Sequence, residues 1–124
     1  MTRRGMSPTM PKDILFLLQP GFSDPAYPGR KFYCWHCALL EGVLASFPEL
    51  AASLHVVRVA WPRPRQAVIE LVGAENQALP LLVLAEGSSA ELATGTFQGR
   101  AFVSGKDAIL HALSARHSIA EPHP

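Results

Sequence analysis

Four stretches of the chain carry the hydrophobic pattern of β-strands. Residues 14–18 and 81–84 are continuous apolar runs, which are typical of strands buried on both faces of a sheet. Residues 54–61 are rich in β-branched side chains, and residues 96–103 alternate between apolar and polar positions. We therefore expect a central mixed sheet of about four strands.

Three segments between and after these strands have the pattern of helices. Apolar side chains recur at helical spacing through residues 38–50, with Pro48 near the end of the segment. Residues 66–72 form a short helix, and a last helix begins near Gly105 and continues to residue 113. The predicted element order is β-α-β-α-β-β-α, an α/β fold in which helices flank the sheet.

Length and composition favour one domain with one core. The chain has 124 residues, of which 48% are hydrophobic and 17% are charged. We place the domain at residues 13–118 and expect flexible termini at residues 1–12 and 119–124. Residues 19–33 form a long loop rich in proline and glycine, and loops of this length are often functional.

Charge and hydropathy exclude several classes of partner. The formal net charge is +1, so no strong electrostatic field favours nucleic acid or a membrane surface. The apolar run at residues 14–18 is too short for a secretion signal or a membrane span. We expect a cytoplasmic protein, in which thiols are kept reduced.

The two cysteines of the chain lie together in the unit Cys34-Trp35-His36-Cys37. The unit follows a predicted strand and a loop, and it opens the helical segment at residues 38–50. A C-x-x-C unit in this place indicates a dithiol redox site, but the same spacing also occurs in half of a zinc site. The spacing alone leaves both interpretations open.

The element order resembles that of the thioredoxin-like fold, with C-x-x-C at the first helix and a proline opening the third strand. Residues 78–87 are similar to the segment around the family's cis-proline. The resemblance implies that the Leu79–Pro80 bond is cis, that Pro80 packs beside the dithiol, and that the backbone of Leu79 pairs with an extended substrate. The chain also looks like members of an uncharacterised bacterial family, a domain of unknown function with a predicted thioredoxin-like fold.

Two further similarities are to glutaredoxins. Lys31 precedes the dithiol where glutaredoxins often carry a lysine near the thiolate. Ser104, Gly105 and Asp107 belong to a segment similar to the turn with which glutaredoxins bind glutathione, although a serine replaces the turn's first glycine. The resemblance implies glutathione as a co-substrate, and no bound cofactor is expected. Tyr33 stands where thioredoxin has the tryptophan of its signature.

The implied chemistry is thiol–disulfide exchange. A helix N-terminus stabilises negative charge, so Cys34 is the expected nucleophile, and the more buried Cys37 resolves the mixed disulfide. His36 carries a positive charge when protonated and then favours the thiolate. Trp35 and Tyr33 are candidates for contact with the substrate, and packing under the loop at residues 19–33 is the alternative for Trp35.

Two alternatives to catalysis stay open. The protein could be a non-catalytic binding module whose dithiol holds zinc, an iron–sulfur cluster or a protein partner, with His111 and His117 as further metal ligands. The cysteines could also be buried thiols with no redox role.

The remaining predictions concern partners and charged groups. Arg58, Arg63 and Arg65 form a basic cluster, which is either a solvated face or a dock for carboxylates. The expected partners are protein or small-molecule disulfides, with glutathione as a candidate. The protein is expected to be a monomer or a homodimer.

Overall fold

A computed structural model describes residues 11–124, so most of the terminus predicted to be flexible at residues 1–12 lies outside the described part. The order of elements is strand, two helices, strand, helix, three strands and a final helix. Their bounds are β1 Asp13–Leu18, α1 Trp35–Ser46, α2 Pro48–Ser53, β2 Leu54–Val59, α3 Gln66–Val72, β3 Leu81–Val83, β4 Gly95–Phe97, β5 Arg100–Ser104 and α4 Lys106–His117.

The strands form one mixed sheet in the order β2-β1-β3-β5-β4. β1 is parallel to β2 and antiparallel to β3, and β5 is antiparallel to both of its neighbours. The predicted mixed α/β class is therefore confirmed. The sheet has five strands, where the sequence analysis predicts about four.

The additional strand comes from the segment at residues 96–103, which was predicted as a single strand. That prediction is wrong, because β4 and β5 form a hairpin that reverses at Gln98 and Gly99. Both turn residues have positive φ, 49° and 80°, which is the conformation of the tightest hairpin turns. Apolar and polar residues alternate on both sides of such a turn, so the alternation does not show where the chain reverses.

The predicted helix at residues 38–50 is also divided. α1 ends at Ser46, and α2 begins at Pro48 after Phe47, whose φ of −129° and ψ of 78° lie outside the helical range. A proline disfavours helical backbone at the preceding residue and is tolerated in the first turn of a new helix. Pro48 therefore separates two helices.

Alternation along β1 divides the core between the two faces of the sheet. Leu15 and Leu17 point to the face covered by α1, α2 and α4, whereas Phe16 points to the face covered by α3. Helices on both faces explain why β1 is a continuous apolar run.

The first residue of β1 ties this strand to the end of α4. Asp13 is buried, and its carboxylate accepts hydrogen bonds from the Arg116 guanidinium at 2.7 Å and from the backbone N–H of Ala85 at 2.7 Å. His117 Nε2 lies 3.0 Å from the same carboxylate. The C-terminus of α4 therefore lies at the end of the sheet where β1 begins.

Within residues 11–124, two peptide bonds before proline are cis. The Leu79–Pro80 bond is cis as the resemblance implies, and the Arg63–Pro64 bond, which no sequence pattern indicated, is cis as well. Ile119 packs against the core cluster shared by α1 and α4. The predicted flexibility of residues 119–124 stays a prediction.

Within residues 11–124, none of the helices combines the length and apolar character needed to cross a bilayer.

Candidate functional site

Cys34 lies at the N-terminal end of α1 and caps it. Its backbone is extended, with φ of −80° and ψ of 115°, and its sulfur accepts a hydrogen bond from the backbone N–H of Cys37 at 3.2 Å. A helix start has backbone N–H groups without intrahelical partners, and these groups favour negative charge. The fold therefore places the Cys34 sulfur at the N-terminal end of a helix, beside backbone N–H donors.

Cys37 lies one turn further along α1 and is only 2% exposed. Its sulfur accepts a hydrogen bond from the backbone N–H of Leu18, the last residue of β1, at 3.4 Å. Burial is the main cause that raises the pKa of Cys37 to about 12. The hydrogen bond from the Leu18 N–H lowers this pKa, whereas Cys34 and the negative charge of Glu41 raise it further. Cys37 is therefore a protonated thiol at neutral pH.

The two thiols differ in their access to solvent. Both cysteines are free, and Cys34 is partly exposed while Cys37 is buried. A pocket of about 130 Å³ includes both cysteines in its lining. It is lined by Leu18, Pro20, Tyr33, Cys34, Cys37, Ala38 and Glu41.

Glu41 is a charged member of this pocket that the sequence analysis did not single out. Its carboxylate accepts two hydrogen bonds from the Arg58 guanidinium, each 2.7 Å long. These bonds lower the pKa of Glu41, so the carboxylate is ionised at neutral pH. Its position four residues after Cys37 was the available signal, because residues four apart share a helix face.

Two exposed aromatic side chains flank Cys34. Tyr33 is 64% exposed and Trp35 is 63% exposed, so neither is packed under the loop at residues 19–33. The His36 ring lies edge-on to the Trp35 ring, with centroids 3.9 Å apart. Lys106 Nζ lies 5.8 Å from the Trp35 ring centre, within the range of a cation–π contact.

The contact between Lys106 and Trp35 brings the N-termini of α4 and α1 together. The predicted glutathione turn, Ser104, Gly105 and Asp107, therefore lies at the dithiol end of the sheet. Gly105 caps α4 with a φ of 94° and provides no side chain to the first turn. The Asp107 carboxylate is mostly exposed and pairs with Lys106 at 3.0 Å.

Leu79 and Pro80 also lie at the dithiol end. β3 is antiparallel to β1, so the residues that precede β3 lie beside the end of β1 that contacts Cys37. Pro80 is buried, and Leu79 is half-buried against the core cluster that includes both cysteines. The predicted groove residues are therefore near the dithiol.

Lys31 makes a different contact from the one implied by the resemblance. Its Nζ donates a hydrogen bond to the Ser23 hydroxyl at 2.9 Å, within the loop at residues 19–33. Phe22 and Phe32 pair across this loop through backbone hydrogen bonds, and the Phe22 ring stacks on Trp61 with centroids 5.5 Å apart. The loop is therefore anchored on the residues that follow β2.

The fold does not bring the two predicted histidine ligands to the dithiol. His117 contacts Asp13 at the start of β1, whereas Cys37 contacts Leu18 at its end. The six residues of β1 separate these ends by roughly 16 Å. His111 is exposed on α4, and residues 11–124 contain no cluster of three or more potential metal ligands.

The predicted basic cluster is divided by the structure. Arg58 pairs with Glu41, and Arg63 is exposed. Arg65, in contrast, is only 8% exposed and donates hydrogen bonds to backbone carbonyl groups. A solvated face is therefore the wrong interpretation for Arg65.

Comparison with known proteins identifies a family whose description gives no function. A family model described as "Protein of unknown function (DUF3088)" matches residues 12–121, from the residue before β1 to beyond the end of α4. No curated protein and no solved structure matches the chain with significance. The chemistry must therefore be inferred from the site.

Proposed function

The chain belongs to the DUF3088 family, and from the geometry of its dithiol we propose that it is a thiol–disulfide oxidoreductase. Cys34 is the nucleophile and Cys37 is the resolving thiol. The substrates are disulfides of proteins or small molecules.

The observation that carries this proposal is the inequality of the two thiols. Cys34 is accessible at a helix N-terminus and accepts an N–H hydrogen bond, whereas Cys37 is 2% exposed and its pKa is raised to about 12. An exchange reaction needs one accessible thiolate to attack a substrate and a second thiol held in reserve. Two structural thiols do not need this difference.

The reaction proceeds in two exchanges. The Cys34 thiolate attacks one sulfur of the substrate disulfide, forms a mixed disulfide and releases the other substrate sulfur as a thiolate, which takes up a proton. Cys37 then loses its proton and attacks the Cys34 sulfur, and the second substrate thiol leaves. Two electrons pass to the substrate, and a Cys34–Cys37 disulfide remains, which an external thiol such as glutathione reduces.

A thioredoxin-like fold is part of the proposal. The described elements follow the order expected from the resemblance, with α2 and the hairpin strand β4 as additions. The dithiol begins the first long helix, and Pro80 precedes β3 at the same end of the sheet. These positions support a groove between the dithiol and the Leu79–Pro80 segment.

Glutathione is the proposed co-substrate. Support comes from the start of α4, where Gly105 leaves the first-turn N–H groups without a side-chain cap beside Trp35. Such groups bind carboxylates, and the ammonium of Lys106 adds positive charge. Glutathione offers two carboxylates and a thiol.

Differential alkylation across a glutathione redox titration tests the proposal. Mass spectrometry should show a reversible loss of two hydrogen atoms (two protons and two electrons) from the Cys34 and Cys37 pair, together with a glutathione adduct on Cys34 in the Cys37→Ser variant. The Cys34→Ser variant should lose disulfide reductase activity. Intact activity in that variant contradicts the assignment, and stoichiometric zinc or iron in the purified protein favours a metal-binding module.

A further inference from the structure

Arg65 is a buried cation that has no charged partner among residues 11–124. Its Nε and Nη2 groups donate to the backbone carbonyl of Trp61, and Nη1 donates to the carbonyl of Gln77 at 2.7 Å. The Gln77 side chain accepts from the Arg65 backbone N–H at 2.8 Å. The guanidinium is therefore fixed in place by neutral groups.

A buried charge without a counter-charge is unfavourable, and this one has no carboxylate within salt-bridge distance in the described chain. A guanidinium has five N–H donors, and three bonds to carbonyls leave two without an acceptor among residues 11–124. The position therefore favours an anion nearby.

The loops that hold Arg65 lie at the dithiol end of the sheet. Trp61 follows β2, whose last residue, Val59, is the register partner of Leu18. Leu18 in turn donates the hydrogen bond to the Cys37 sulfur. Gln77 shortly precedes β3, which begins at this same end.

The acidic groups that act on Arg65 are the two thiols. Burial lowers the pKa of Arg65, and the charge of Arg63 lowers it further, whereas charge on Cys37 and then on Cys34 raises it. Attraction between two charges is mutual, so a cation whose pKa is raised by the thiolates also stabilises those thiolates. For the pKa of Cys37 this attraction is smaller than the effects of burial, Leu18, Cys34 and Glu41.

We propose that Arg65 is a positioning residue whose buried charge stabilises the thiolate of Cys37 when it resolves the mixed disulfide. This inference rests on the proposed function. Once Cys34 is bonded to the substrate it carries no charge, so Cys37 is then the one thiol of the pair that can ionise. Its proton goes to solvent, its sulfur bonds to Cys34, and the substrate sulfur leaves with the electron pair of the broken bond.

Stopped-flow reaction of the reduced protein with dithiobis(2-nitrobenzoate) separates the two exchanges. The first thionitrobenzoate released reports attack by Cys34, and the second reports resolution by Cys37. In Arg65→Gln, we expect the second phase to slow about threefold at constant pH, because fewer Cys37 thiolates form. The first phase should change by less than about 1.5-fold.

The pH profile separates a charge effect from a structural one. In Arg65→Gln, the second phase should reach the wild-type rate only at a higher pH. The other titratable or charged groups near the dithiol or Arg65 include Tyr33, Cys34, His36, Glu41, Arg58, Arg63 and Lys106. Arg63→Gln, which removes an exposed cation, is the matched control and should leave the second phase within about twofold of wild type.

Each outcome decides the proposal. If the wild-type protein shows no first phase, the proposed function fails. If the first phase is intact but Arg65→Gln keeps the wild-type rate and pH profile of the second, the role of Arg65 alone is overturned. Arg65→Lys keeps the cation and should hold the second phase within about twofold of wild type. Should Arg65→Gln not fold, Arg65→Met is the second neutral variant, and a wild-type rate and pH profile of the second phase in Arg65→Met overturns the proposal.

Discussion

The backbone N–H of Cys37 points at the sulfur of Cys34 from 3.2 Å away, across the first turn of α1. This hydrogen bond joins the two residues but reaches only one of the two sulfurs. Cys34 gains a donor at the helix N-terminus, whereas the Cys37 sulfur faces the core and the end of β1. The two sulfurs of the pair therefore have different surroundings, as the proposed sequence of two exchanges requires.

We expect the single-cysteine variants to differ in alkylation by iodoacetamide. At neutral pH, Cys37→Ser, which retains Cys34, should react about 100-fold faster than Cys34→Ser, because Cys37 is buried and protonated. Quenched time courses read by mass spectrometry measure both rates. Denaturant is the control and should bring them together, whereas equal rates in the folded proteins contradict the assigned roles.

Removal of the Glu41 charge should make Cys37 a faster resolving thiol. Ionised Glu41 raises the pKa of Cys37, so Glu41→Gln should lower that pKa and speed the second phase of the disulfide reaction about threefold. Loss of the half-exposed pair with Arg58 should cost less than about 1 kcal/mol of stability. Glu49→Gln, an exposed change on α2, is the control, and a slower second phase in Glu41→Gln contradicts this electrostatic role.

The different places of Cys34 and Cys37 could be predicted from the sequence, because a helix start and its first turn are local features. Glu41 was open to the same reasoning, since it lies one turn after Cys37. The burial of Arg65 was not, because it depends on carbonyl groups of two separate loops. Local charge patterns identify basic residues but do not show which of them the fold covers.

The exposed Trp35 side chain beside Cys34 predicts selectivity for larger substrates. Trp35 is 63% exposed, and aromatic side chains at contact surfaces contribute much of the binding energy. Trp35→Ala should lower kcat/KM for a protein disulfide about fivefold to tenfold and change the reaction with a small aromatic disulfide by less than about twofold. Turnover assays with both substrates measure this difference.

Tyr27→Ala is the matched control for Trp35. Tyr27 is 52% exposed but does not line the pocket at the two sulfurs. Its removal should leave kcat/KM for both substrates within about twofold of wild type. An equal loss with both substrates in Trp35→Ala would instead indicate a disturbed dithiol.

The stability of the folded protein at low pH should depend on Asp13. Burial alone would raise the pKa of this carboxyl, but hydrogen bonds from His117, Arg116 and the Ala85 N–H outweigh burial and hold the pKa far below its ordinary value. A carboxyl whose pKa is lowered by folding stabilises the protein above its unfolded-state pKa of about 4 and loses that contribution as the pH falls. The sequence could not reveal this network, because Arg116 lies 103 residues away.

Asp13→Asn should therefore lower the free energy of unfolding at pH 7 by about 3 kcal/mol, since it leaves a largely buried guanidinium without its counter-charge. Urea unfolding at several pH values measures the loss, which should shrink below about pH 4, where the carboxyl of the unfolded wild-type chain begins to take up a proton while that of the folded chain stays ionised. Asp107→Asn, at a carboxylate whose side chain is 87% exposed, is the control and should change stability by less than about 0.5 kcal/mol. A loss in Asp13→Asn that stays constant from pH 7 to pH 2 would show that shape and packing, rather than the charge of Asp13, hold the end of α4 against β1.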